Sequence, residues 1–313
     1  MTSGKFAIGV VCTLVGAGCW GFSGCAMKFL FSDYGLPVMF VAAFRMLVAG
    51  ILLTAVLAFT ARPKLFGLLA DARSMAGVAV FGLIGLFCCQ VTYMLAIEYT
   101  NAGTATVLQA FNVVIVLGIT CVGARRLPRA LELLAVAVAL IATVLIATKG
   151  DLTQLNMPFM GLFWGLASAV AVTFYVCYPV KLFEKWTSPP VTALGMVIGG
   201  LVALVCMLLE ELSAGAQAFS WASSVDATAV LFLAIVAIVG TLCSFGLFLY
   251  GVSIVGSVKG SLLGTIEPAA ATIISAVWLH TAFVWADWVG MVLMMATVFI
   301  VSVPQKPAAH DGA

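Results

Sequence analysis

The residues able to do chemistry are few, and most of them lie inside long apolar stretches. Glu267 is a carboxylate in the middle of one stretch and is followed at once by Pro268; Arg45 lies well inside another. An acid within lipid serves as a proton or cation site, or it accepts hydrogen bonds from backbone groups that a neighbouring proline has freed. A buried arginine caps carbonyls or pairs with an acid of a nearby helix, and for Arg45 that structural role is the expected one.

Amides come next. Gln90 and Tyr93 are three residues apart, as are Gln109 and Asn112, so each pair shares a helix face. An amide offers two donors and an acceptor, which suits a zwitterionic or hydroxylated solute. The plainer reading is that such amides tie helix to helix, and it weighs most on Asn112. A further stripe, Trp164, Ser168, Ala171, Tyr175 and Tyr178, repeats at spacings of 4, 3, 4 and 3 residues. Aromatic stripes usually serve packing, but a buried phenol needs a hydrogen-bond partner. Trp20 and Ser244 complete the candidates for a binding surface.

Other chemistry is poorly represented. The nine cysteines are scattered and form no C-x-x-C pair, which reads as small packing residues. His280 and His310 are isolated, so no metal site is expected. There is no H-E-x-x-H motif, no embedded aspartate pair and no phosphate-binding loop. Catalytic residues, cofactors and ATP drive are therefore not expected, and an intramembrane enzyme ranks far behind a carrier.

The elements holding these residues follow from composition. The chain has 313 residues, 64% hydrophobic and 8% charged, with a mean hydropathy of +1.22. An ordinary soluble domain is about 25% charged. A water-soluble enzyme, a nucleic-acid binder and a disordered chain are excluded, and an integral membrane protein remains. A spanning helix takes about 20 apolar residues. Ten stretches qualify, near 6–27, 36–59, 74–97, 102–123, 130–148, 158–180, 189–209, 227–250, 256–279 and 285–303. Continuous apolar runs exclude a transmembrane β-barrel, whose strands alternate. The first span is too long for a cleaved signal peptide.

With an even span count both termini share a side. Placing them in the cytoplasm puts Lys5, Arg62, Lys64, Arg73, Arg125, Arg126, Arg129, Lys181, Lys185, Lys259 and Lys306 there, against Lys28 and Lys149 outside. Basic residues concentrate on the cytoplasmic side of membrane proteins, so this split sets the orientation. Trp186, Trp221, Trp278, Trp285 and Trp288 fall at the expected interfaces and read as an aromatic belt.

Ten spans divide into five and five, residues 1–150 and 151–313, the second half beginning on the opposite side. Trp20-Gly21 has a counterpart in Trp164-Gly165, 102–112 aligns without gaps on 258–268, and Glu132-Leu133-Leu134-Ala135 matches Asp287-Trp288-Val289-Gly290. The expected fold is all-α, ten transmembrane helices arranged as two inverted five-helix repeats, an architecture that recurs in transporters.

These features, with Phe44-Arg45 and the segment 96–105 whose second-half partner ends in Glu267-Pro268, resemble the EamA-type branch of the drug/metabolite transporter superfamily. The chain departs from that pattern at Asn112, where proline is common, at Ala124-Arg125 and His280-Thr281, where Gly-Glu is usual, and in lacking a counterpart of Arg45 in helix seven. The resemblance implies a cavity lined by helices one, three, four, six, eight and nine, and an amino acid or related zwitterionic or neutral metabolite as substrate. It implies an exporter or exchanger working by alternating access in a plasma membrane; the compact loops suit a bacterial inner membrane. The competing reading is a proton-coupled multidrug or cation exporter, with Glu267 as its acid. The expected partners are the substrate, the bilayer and, as a candidate coupling ion, the proton; monomer and homodimer both stay open.

Overall fold

A computed structural model describes residues 3–302; Lys306, His310 and the rest of the C-terminal tail lie outside the described residues. Ten helical segments follow one another: α1 (Ser3–Asp33), α2 (Val38–Thr60), α3 (Ala72–Tyr99), α4 (Ala102–Gly123), α5 (Ala130–Thr148), α6 (Phe159–Cys177), α7 (Ser188–Ala214), α8 (Ala227–Val255), α9 in two pieces (Ser257–Gly264 and Ile266–Val277) and α10 (Trp285–Ser302). Short helices at Arg62–Ala70 and Val180–Trp186 join α2 to α3 and α6 to α7. Among the described residues nine helices are long and apolar enough to cross a membrane; the second part of α9, counted as Leu262–Val277, is apolar but shorter.

The helix starts are written in the sequence. Asp71, Asn101 and Asp226 each accept backbone N–H groups at the first turn of α3, α4 and α8, which satisfies donors that no helix can satisfy internally. Two caps use the third helical position instead. Glu132 accepts from the Arg129 N–H at 2.7 Å and pairs with both terminal nitrogens of Arg126. Asp287 accepts from the Val284 N–H at 3.0 Å.

Small residues set the helix packing, as they must where lipid gives no hydrophobic drive between helices. α2 lies along α7. A Cβ on Gly50 would stand 2.9 Å from the Val197 nitrogen, and one on Gly200 would stand 2.9 Å from the Leu47 nitrogen. α1 packs on α8 and α9, α6 packs on α3 and α4, and α5 packs on α10.

The two ends differ. At the basic end, Lys185 Nζ meets Asp71 Oδ2 at 2.5 Å and Trp186 donates to Ser74. Hydrogen bonds from Lys185 and Ser74 hold the Asp71 carboxyl below the usual carboxylate range. A depressed folded-state pKa means that this latch is intact at neutral pH and loosens only as acid protonates Asp71. At the opposite end, Phe22 and Phe29 of α1, Phe232 of α8 and Trp278 of α9 form a ring cluster with centroids 4.8–5.8 Å apart. Glu211 there is buried and accepts from the Phe219 N–H and the Trp221 indole.

Three expectations change. α1 does not stop at Lys28 but runs on to Asp33, and Lys28 donates to the Glu98 carbonyl at 2.7 Å. The α6 span ends at Cys177, short of the expected 180: Tyr178 caps it, and Pro179, a residue expected to kink or end the helix, precedes the short helix behind it. Trp186, Trp221 and Trp278 are engaged inside the protein; Trp285 and Trp288 are exposed.

Glu132→Ala removes a cap and an ion pair together. The expected loss is about 1–2 kcal/mol, visible as a lower midpoint of thermal unfolding in detergent, whereas Glu132→Gln, which keeps an acceptor for the Arg129 N–H, loses less.

Candidate substrate cavity

The helix breaks build the central cavity. In α9, Pro268 has no N–H to give the carbonyl four residues back, and the helix parts at Thr265. In α4 no proline is present. Instead the chain tightens: Phe111 N–H bonds Leu108, Val113 bonds Ala110 and Val114 bonds Phe111, each three residues back. These two interruptions bring Gln109, Asn112 and Glu267 to one space.

That space has two lobes, of about 350 and 340 Å³, with Trp20, Gln109, Val172, Phe248 and Glu267 in the wall of both. Asn112, Thr265, Met295 and Val298 line the first lobe, Asn112 at the middle of α4 and the other three in the half of their helices nearer the basic end. Arg45, Gln90, Tyr93 and Tyr175 line the second. Trp20 lies 4.9 Å from each of the Phe245 and Phe248 rings, and Tyr175 stacks on Phe81 at 5.6 Å.

Arg45 is held by backbone geometry. Residues Ile238–Cys243 of α8 form a π-helical turn. Such a turn disturbs the regular ladder and is often found at functional sites. Arg45 Nε donates to Thr241 Oγ1 at 2.7 Å, Nη2 donates to the Gly240 carbonyl at 3.2 Å, and Nη1 lies 3.4 Å from Met27 Sδ. The guanidinium thus caps a carbonyl of α8 while also facing the cavity. Glu267 lines the same lobe, yet the two do not form an ion pair.

Several polar groups are left for a guest. Tyr93 hydroxyl is taken by Thr106 at 2.8 Å, and Gln109 Nε2 donates to Ser168 Oγ at 2.7 Å. Gln90, Asn112, Glu267, the Tyr175 hydroxyl and the Trp20 indole hydrogen-bond no other described residue. A polar group facing a cavity without a protein partner is a docking point for water or solute. Among the described residues no group of three or more His, Cys, Asp or Glu is disposed to hold a metal.

The sequence-derived candidates separate on this map. Trp20, Arg45, Gln90, Tyr93, Gln109, Asn112, Tyr175 and Glu267 converge on the cavity. Four do not line it. Trp164 packs in the apolar cluster toward the opposite end, Ser168 is buried and reaches the cavity only through Gln109, Tyr178 is exposed and stacks on Phe174, and Ser244 turns back to the Val239 carbonyl. The spacing rule finds a stripe but not which way it faces. Conversely, α2 and α10 join the wall through Arg45 and through Met294, Met295 and Val298. The α10 residues are apolar, so a search for polar side chains within spans has no means of finding them.

An all-α bundle of apolar helices around a mostly apolar cavity that carries a few charged and amide groups is the build of a membrane carrier. A family model supplies the particular class: the EamA-like transporter family matches residues 7–148 and 159–303, and the chain belongs to that family, within the drug/metabolite transporter superfamily. It is 30% identical over 302 residues to the "Uncharacterized inner membrane transporter YicL" of Salmonella typhimurium, covering 96% of this chain and 97% of that one. It is 26% identical over 294 residues to the "WAT1-related protein At3g02690, chloroplastic" of Arabidopsis thaliana, covering 91% of this chain and 67% of that one. A solved crystal structure matches with a TM-score of 0.60 at 18% identity, covering 96% of this chain and 98% of that chain, which shows a shared fold.

Arg45→Leu leaves the Gly240 carbonyl without its donor. The expected cost is about 1–3 kcal/mol, read as a lower midpoint of thermal unfolding in detergent. Arg45→Lys restores only part of it, because a single ammonium cannot reproduce the fork that spans Thr241 and Gly240.

Proposed function

We propose that this protein is a secondary carrier for small zwitterionic or neutral metabolites, amino acids foremost, and that it moves them by alternating access between two inverted five-helix halves. The observation that carries the substrate class is the pairing of Glu267 and Arg45 in one cavity lobe, opposite in charge and not bonded to each other. Glu267 takes the ammonium of the guest, Arg45 takes the carboxylate with the donors that α8 leaves unused, and Gln90 and Gln109 orient the molecule. A guest that is charged at both ends matches this wall; a purely cationic drug leaves Arg45 facing a like charge.

The two-repeat reading has support at matched positions. α3 and α8 each carry a π-helical turn, at Phe81–Phe87 and Ile238–Cys243. α4 and α9 are each interrupted, Glu132 and Asp287 each cap the helix that follows, and the α2–α7 contact is reciprocal. On this reading all ten segments cross the membrane. On the same reading the conformer is open toward the basic end, since Met295 and Val298 carry the first lobe into that half and the aromatic cluster around Trp278 fills the other. Basic loops favour the cytoplasm, and the relative named for an inner membrane supports a bacterial inner-membrane location with both termini inside. Net movement is then export or exchange.

Counterflow in proteoliposomes tests this. With unlabelled amino acids inside and no pH gradient, labelled amino acid should accumulate transiently. Glu267→Gln should lower the rate about tenfold or more, the loss of a hydrogen bond to a charged group. Counterflow that needs a pH gradient and disappears in Glu267→Gln makes that residue the proton site. No counterflow for any amino acid by correctly inserted protein overturns the substrate class.

A further inference from the structure

A second cavity, of about 340 Å³, adjoins the central one. It lies between α2, α7 and α8, and Tyr175, Phe245 and Leu249 belong to the walls of both spaces. Its lining is mostly aliphatic and aromatic, with Leu53, Met196 and Phe183 among its residues, three hydroxyls (Ser188, Thr192 and Thr241) and no charged side chain. Gly246 and Leu249 are exposed on the α8 surface, so the side cavity reaches the flank of the bundle. A Cβ built on Gly246 meets nothing within 4 Å. Close packing is the rule inside proteins and between membrane helices, so an apolar gap of this size beside a polar cavity calls for an occupant.

We propose that this side cavity is the subsite for the apolar side group of the transported zwitterion, which makes amphipathic solutes with long or bulky side groups the preferred substrates. The proposal rests on the carrier reading above. Two observations select this occupant. The side cavity abuts the lobe holding Glu267 and Arg45, with Tyr175, Phe245 and Leu249 as their common wall, so a head group anchored there needs only those three side chains to shift for its substituent to enter. The side cavity also lacks any charge that would hold a head group of its own, so a guest fixed only by it, such as a lipid acyl chain, gains nothing from the charged lobe next to it.

A straight-chain series of α-amino acids, from alanine to 2-aminooctanoate, keeps the head constant while the side group grows. Each methylene seated in an apolar site strengthens binding about fourfold. In counterflow with the full-length protein, apparent affinity should therefore climb along the series, and Gly246→Trp, which fills the cavity, should flatten the climb. A second readout does not need transport. In Gly246→Cys, alkylation by N-ethylmaleimide, followed at residue 246 by mass spectrometry, should slow with 2-aminooctanoate and not with alanine. Counterflow with a flat series and no protection overturns the subsite and leaves the carrier standing. Protection without counterflow upholds the subsite and overturns the carrier. Alkylation that responds to the acyl chains of the reconstituted lipid and to neither amino acid assigns the cavity to lipid and overturns the proposal. Absence of both counterflow and protection overturns both.

Discussion

A guanidinium surrounded by apolar helices must find its acceptors inside the protein, because lipid offers none. Arg45 finds them in the π-helical turn of α8, where Thr241 and the Gly240 carbonyl take two of its nitrogens. This one contact joins α2 to α8, satisfies backbone that the turn has disturbed and leaves positive charge on the wall of the central cavity. Glu267, in the same wall, then faces an opposite charge across a space and not across a bond. The chemistry attributed to the cavity follows from that separation.

The matched site in the other half is built differently. If the two halves are the repeats proposed above, the reciprocal contact of Gly50 and Gly200 sets Gly195 of α7 opposite the position of Arg45. Gly195 packs by its carbonyl against Gly82, within the π-helical turn of α3. The α8 turn is therefore clamped by a charged side chain, and the α3 turn by close backbone approach and apolar packing of Phe81, Leu86 and Ile198. Of the two π-helical turns, only that of α8 is held by a charged side chain that also lines the cavity.

Much of this was legible in the sequence because the membrane imposes a simple rule. Apolar runs marked the helices, although Lys28 was read as an end; α1 continues beyond it because the Glu98 carbonyl accepts its ammonium. Gln90, Gln109, Asn112, Arg45 and Glu267 were legible as costly polar groups, and they do converge. Trp164, Ser168, Tyr178 and Ser244 were not, because a period of 3.6 defines a face without saying which neighbour covers it. Ser168 and Ser244 hydroxyls are consumed locally, by Gln109 and by the Val239 carbonyl. The π-helical turns have no residue signature here, and the α10 wall is made of methionine and valine that any packed helix carries.

Under the proposed alternating access, the cavity communicates with one face of the membrane at a time. Met295 lines the lobe toward the basic end, so Met295→Cys reports that access directly. Labelling by a membrane-impermeant thiol reagent, applied to either face of oriented vesicles and read at residue 295 by mass spectrometry, should proceed from the basic face and not from the other in the absence of solute. A transported zwitterion should slow it by occupying the cavity and drawing the protein into its opposite state. Equal labelling from both faces without solute would describe a continuous pore and would contradict the account.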